Sequence, residues 1–138
     1  MNWIFKTLPL LYFLLVFITI TGCDDAVSAG LSEEFFISPG QKAVINNSGL
    51  EITFNKVVED SRCPLGAECV WEGNGRIEIS VRHNGWTDET QELNTTLDPQ
   101  ELIAGDFKIR LLELQPYPET GREISSAAYK IRLIVENE

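Results

Sequence analysis

Two cysteines with five residues between them, Cys63 and Cys69 in the stretch Asp60 to Gly73 (DSRCPLGAECVWEG), are the side chains best suited to covalent or metal chemistry, and Trp71 follows two positions beyond the second. Three uses are open to such a pair: a metal site, a redox switch or a structural staple. The compartment decides among them, because cytosolic thiols stay reduced whereas exported ones can pair.

The first residues, MNWIFKTLPLLYFLLVFITITGC, give one lysine (Lys6), an apolar run from Leu8 to Ile20, then small residues and a third cysteine, Cys23. The run is shorter than the roughly 20 residues a spanning helix needs, and a small-residue cleavage site follows it, so it reads as a secretory signal. Ile20-Thr21-Gly22-Cys23 resembles a bacterial lipobox. The resemblance implies cleavage before Cys23, a diacylglycerol on its sulfur and usually acylation of the new amino terminus. With about 0.8 kcal/mol for each buried methylene, two or three long chains anchor a small domain durably. The expected division is a lipoprotein signal over residues 1–22, a lipidated cysteine with a polar tether over 23–32, and one domain over 33–138.

With Cys23 used for lipid, an even pair remains in an exported chain, and a Cys63–Cys69 disulfide is the leading expectation. Zinc needs about four ligands, and the chain has a single histidine, His83, with no further ligand pair. A redox-active pair more often has Cys-x-x-Cys spacing. Closing so short a loop contributes about 2 to 2.5 kcal/mol in the chain-entropy model. Calcium would suit Asp60, Glu68 and Glu72, yet the Asp-x-Asp-x-Asp-Gly spacing is missing. His83 sits on a strand pattern just before a turn, outside any nucleophile motif, and is expected to be an exposed hairpin residue. Carboxylate pairs such as Glu59 with Asp60 carry little meaning among twenty-one acids. Neither a phosphate-binding glycine loop nor a nucleotide motif is present, and no cofactor is expected.

Removing residues 1–22 takes Lys6 from the eleven cationic side chains and none of the twenty-one acids, moving the formal charge from −10 to −11. Such an excess repels nucleic acid and anionic headgroups, so the lipid, not a basic patch, must hold the membrane. The 116 residues that remain of 138 suit one domain.

Its periodicity is mostly two. Ile77, Ile79 and Val81 alternate with Glu78, Ser80 and Arg82, and Asn84-Gly85 then signals a hairpin whose return runs from Trp86 to Leu93. The same alternation marks Leu50, Ile52 and Phe54; Phe107, Ile109 and Leu111; and Tyr129, Ile131, Leu133 and Val135. Phe35–Ser38 and Lys42–Ile45, separated by Pro39-Gly40, are expected to pair, and Asn46-Asn47-Ser48-Gly49 to turn into the next strand. Asp98 to Ala104 is the one candidate helical turn, with Asp98 as cap before Pro99. About seven strands result. The expected class is all-β: a single antiparallel, immunoglobulin-like sandwich or a small barrel, with the named aromatics and aliphatics as core.

From Phe54 to Gly73, and above all in Asp60-Ser61-Arg62-Cys63-Pro64, Gly66, Cys69, Trp71 and Gly73, the chain resembles a motif of small bacterial exported proteins and lipoproteins. Leu112 to Pro118 (LLELQPYP) and the strand around Tyr129 support the resemblance more weakly. Relatives usually carry alanine where this chain has Glu72, a departure expected to alter the surface and not the fold. The resemblance implies a small β-rich domain and supplies no substrate. Physically, Pro64 favours an extended Cys63, Gly66 permits a tight reversal, and a disulfide requires Cα atoms within about 7 Å. Trp71 is expected to cover the bond, and Asp60 to accept backbone N–H groups or pair with Arg62. Asp60, Arg62 and Trp71 are the candidate partner contacts.

The expected function is that of a non-enzymatic, lipid-anchored protein of the bacterial envelope, facing the periplasm or the surface, which binds or supports another envelope component. Two other classes compete with it: an inhibitor of a secreted hydrolase acting through the tied loop, and a small-ligand or metal-binding module.

Overall fold

Alternating apolar residues demand a dry face opposite them, and the chain supplies two such faces that cover each other. The computed structural model describes residues 25–84 and 89–138. Nine strands form in chain order: β1 (Val27–Ala29), β2 (Glu34–Ile37), β3 (Lys42–Ile45), β4 (Leu50–Asp60), β5 (Gly75–His83), β6 (Glu89–Asn94), β7 (Glu101–Ala104), β8 (Phe107–Gln115) and β9 (Lys130–Asn137). One sheet has the order β1-β3-β4-β5-β6 and the other β2-β9-β8-β7, so the fold is a two-sheet sandwich and not a closed barrel. Phe54, Ile52, Ile77 and Ile79 from the first sheet and Ile109, Leu114, Ile131 and Leu133 from the second belong to one continuous core.

Three irregularities re-aim that alternation. In β4 the register with β5 shifts between Phe54 and Lys56 and again between Val57 and Glu59. Each extra residue reverses the side of the strand that faces inward. Val57 therefore opposes Ile77 and packs on the core, while Val58, inward by simple alternation, is exposed. The second shift restores the phase, so Asp60 opposes the buried Gly75 at the end of the strand. In β8 a shift between Leu111 and Glu113 brings Leu114 into the core in place of Glu113.

Four expectations are corrected. Val27–Ala29 is a strand, not part of a polar tether: Ala29 is buried, and its carbonyl accepts from the Asn46 N–H at 2.9 Å. Small residues suit a tight edge position as well as a flexible link, so composition alone misreads the segment. This strand pairs parallel with β3, an exception to the expected antiparallel order. Phe35–Ser38 and Lys42–Ile45 do not pair with each other; Pro39-Gly40 carries the chain across the sandwich, and β2 joins β9. Glu101–Ala104, expected in a helical turn, is β7, because Gly105-Asp106 forms a two-residue hairpin that pairs it with Phe107–Arg110. The strand count of nine exceeds seven for the same reasons. At the β5–β6 hairpin the antiparallel pairing is as expected from Val81 to Arg76, while Gly85 and Trp86 lie outside the described residues.

If β1 belongs to the domain, its removal has a measurable cost. A chain starting at Glu33 is expected to lose about 2 kcal/mol relative to one starting at Asp25, since Val27 and Ala29 leave apolar contacts. That corresponds to a melting temperature lower by about 8 °C. Equal melting of the two chains would return the segment to the tether.

Candidate functional site

Arg62 is 7% exposed, which a guanidinium tolerates only when its charge and its N–H groups are answered. Asp60, two residues earlier, accepts from Nε at 2.7 Å through Oδ1 and from Nη2 at 2.6 Å through Oδ2, a bidentate fork. Arg62 Nη1 donates to the carbonyl of Leu114, and Nη2 also donates to the carbonyl of Pro116 at 2.9 Å. The Tyr117 ring lies 5.0 Å from the guanidinium carbon, and the Tyr129 hydroxyl donates to Asp60 Oδ2 at 3.1 Å. The second segment of the sequence resemblance, Leu112 to Pro118, and the strand around Tyr129 are thus the walls of this arginine's pocket. The pairing of Asp60 with Arg62 is as expected, and because both side chains are buried the two are positioning residues and not the candidate partner contacts.

Burial disfavours the charged form of Asp60, but the hydrogen bonds and charge of Arg62, with a further bond from Tyr129, outweigh it and hold the carboxyl below its ordinary range. Burial, followed by the neighbouring Asp60 carboxylate, raises the Tyr129 phenol above its ordinary value.

From this anchor the tied loop projects. Cys63 and Cys69 form the disulfide, with Cα atoms 6.0 Å apart. At the base, the Ser61 N–H donates to Asn74 O at 2.8 Å and the Cys63 N–H to Glu72 O at 2.7 Å, continuing the β4–β5 ladder past the strands. Gly73 has φ +75°, and a Cβ there would collide with the Ser61 carbonyl, so only glycine closes this base. Gly66, φ +86°, makes the reversal inside the loop. A second seam ties the loop to the neighbouring segment: Leu65 N–H donates to Pro118 O at 2.8 Å, and Thr120 N–H to Leu65 O at 3.0 Å.

Trp71 does not cover the disulfide. It is 79% exposed, Val70 beside it is 93% exposed, and Trp71 walls an open groove of about 610 Å³ together with Leu97. Glu59, Glu72, Glu92 and Asp98 line the same groove. Arg76, the cation among its lining residues, lies 3.2 Å from Glu59 and 3.6 Å from Glu92. Beneath lie two buried asparagines. Asn74 Nδ2 donates to Asn94 Oδ1 at 2.8 Å; Asn74 Oδ1 accepts from the Thr96 N–H at 3.2 Å; and Asn94 Nδ2 donates to Asp98 O at 3.1 Å. These bonds fix the 95–99 loop that carries Leu97. Sequence reasoning passed over both asparagines, because the alternation of Ile77, Ile79 and Val81 and the inward Leu93 put them on the polar side of their strands, and only the 95–99 loop folding over that side buries them.

The remaining expected residues fall elsewhere. Cys23 lies outside the described residues. His83 is half-buried and not exposed, its ring edge-on to Phe107 at 5.4 Å. A smaller cavity of about 430 Å³ lies beside it, lined by Val81, Leu102 and Ile103 among others. Asp60, committed to Arg62, does not join Glu68 and Glu72 in a calcium site, and among the described residues no three metal-ligating side chains converge. No protein-family model matches the chain, and no curated protein or solved structure matches it either.

Two outcomes test this architecture. Replacing both cysteines by serine, or reducing the protein, is expected to lower stability by about 2 kcal/mol, read from urea unfolding. Unchanged unfolding on reduction would mean that the disulfide is not a staple. Asp60→Asn is expected to cost about 3 kcal/mol at neutral pH by stranding the Arg62 charge. Because the folded carboxyl titrates below its unfolded value of about 3.9, its contribution is present above that pH and fades as pH falls through the lower folded value. The gap between wild-type and Asp60→Asn stabilities should therefore narrow below about pH 4. A gap constant down to pH 2 would contradict the pairing.

Proposed function

We propose that this chain is a non-enzymatic, lipid-anchored domain of a bacterial envelope that binds another envelope component through its disulfide-tied end. One observation carries the reading: a loop braced by a disulfide, a backbone ladder and a buried arginine presents Val70 and Trp71 almost fully to solvent. A large aromatic held rigidly in water loses little entropy on docking, which is the property of an interface anchor.

Lipidation of Cys23 rests on Ile20-Thr21-Gly22-Cys23. Given that anchor, the position of β1 shortens the leash. Three residues lie between Cys23 and Val27, and the four steps reach at most about 14 Å, so the domain rides close to its membrane and its partner must be found there. The same rigid loop favours a second reading, insertion into the cleft of a secreted hydrolase; protection of none of a panel of proteases and lysozymes would remove it for those targets.

The test is the mass of the protein taken from its native envelope in mild detergent. The denatured mass is expected to show a chain beginning at an acylated Cys23 with two hydrogens lost to the disulfide, and the native mass a defined additional protein. A chain of unprocessed mass would end the anchor, and a bare native mass would end stable partner binding.

A further inference from the structure

Building on the docking role of the tied end, we infer that the groove beside Trp71 receives a peptide segment of the partner that presents a lysine or arginine next to an apolar side chain. The argument starts from composition of the walls. Trp71 and Leu97, 79% and 60% exposed, supply apolar surface on opposite loops, the first from the tied loop and the second from the β6–β7 connection. Four carboxylates, those of Glu59, Glu72, Glu92 and Asp98, share the groove with the single guanidinium of Arg76, which Glu59 and Glu92 already flank. The local formal charge is −3, within a protein of formal charge −10. An anionic or purely apolar occupant would leave that field unanswered, whereas a cation answers it and also finds the face of an exposed indole.

The occupant is an organic cation and not a metal ion, because the carboxylates do not converge: among the described residues no group of three metal ligands forms. Nor is the groove a chance gap between mobile loops. Asn74 and Asn94, 7% and 6% exposed, are hydrogen-bonded to each other and to the backbone of Thr96 and Asp98, and they hold the Leu97 loop at a fixed distance from the tied loop. A volume of about 610 Å³ accommodates a few side chains and lies within the roughly 300–1,000 Å³ of ordinary ligand sites.

The full-length lipidated protein in detergent would be titrated calorimetrically with three capped peptides of equal length: alternating Lys and Leu, alternating Ser and Leu, and alternating Glu and Leu. Binding is expected for the Lys/Leu peptide alone and should weaken with rising salt. Trp71→Ala is expected to reduce its affinity about tenfold or more, and Glu72→Gln with Glu92→Gln to reduce both affinity and salt dependence. Both variants alter exposed or half-exposed side chains, so their melting temperatures should match wild type. Equal affinity for the Ser/Leu peptide, equal affinity in the Trp71→Ala variant, or no binding at all would overturn the inference. The native mass of the Trp71→Ala variant separates this from the broader reading: a partner still bound there, with no effect on peptides, leaves the envelope-binding role standing and places it on another surface.

Discussion

A guanidinium with almost no access to water sets the terms for one end of this sandwich. Arg62 draws on both sheets at once: Asp60 ends β4 in the first, and the carbonyls of Leu114 and Pro116 lie at the end of β8 and just past it in the second. A buried ion pair is weak as a source of net stability, because desolvation of both ions offsets their attraction. Its strength here is geometric. Five N–H donors in a plane admit few arrangements of acceptors, so the end of the sandwich has one closed form, and the loop that leaves from Cys63 leaves in one direction.

The two bulges of β4 and the one of β8 belong to the same construction. The two in β4 cancel in phase, so Asp60 falls on the same side as Leu50, Ile52 and Phe54, while between them the inward side is reversed. With them, Val57 and Leu114 enter the core and Asp60 ends on the inner side, opposite Gly75. Tyr129, which follows the 3-10 turn Ser126–Ala128 and precedes β9, completes the cluster from the far side of the chain. The bond from Tyr129 to Asp60 closes this end across 69 residues of chain.

What was legible in the sequence follows from the range of each interaction. Period-two alternation is local, and it located the buried faces of β4, β5, β8 and β9; odd cysteine number and spacing led to the Cys63–Cys69 bridge. The pairing of Phe35–Ser38 was not legible, because Pro39-Gly40 permits a hairpin or a crossing equally well and the choice is made by β9, almost a hundred residues away. The Asp60–Arg62 pair itself was legible, being two close opposite charges at the foot of the tied loop; its burial was not, because Leu114, Pro116 and Tyr129, which surround it, lie more than fifty residues further along the chain. Trp71 failed in the opposite sense, since an aromatic near a disulfide invites burial, and only the direction fixed by the arginine leaves it in solvent. The Asp98-Pro99 cap pattern suggested a helical turn, and the Gly105-Asp106 hairpin signal just beyond it, which makes Glu101–Ala104 a strand, went unread.

An exposed tryptophan beside an exposed valine is ordinarily a route to self-association, because two copies can cover both at once. Here the surroundings oppose it. A two-fold contact through this end would bring Glu59, Glu72, Glu92 and Asp98 of one copy against the same four residues of another, with Arg76 already flanked in each. Like charges brought together in a partly desolvated contact cost more than they do in water, so the acids that attract a basic segment also hold copies of this chain apart. The proposed lipid anchor would sharpen the need for such a device, since proteins confined to a membrane surface meet one another far more often than in dilute solution. The carboxylates around Trp71 thus account for two properties with one arrangement: the exposed apolar side chains stay available in water, and any surface that covered them would have to answer the negative charge around them.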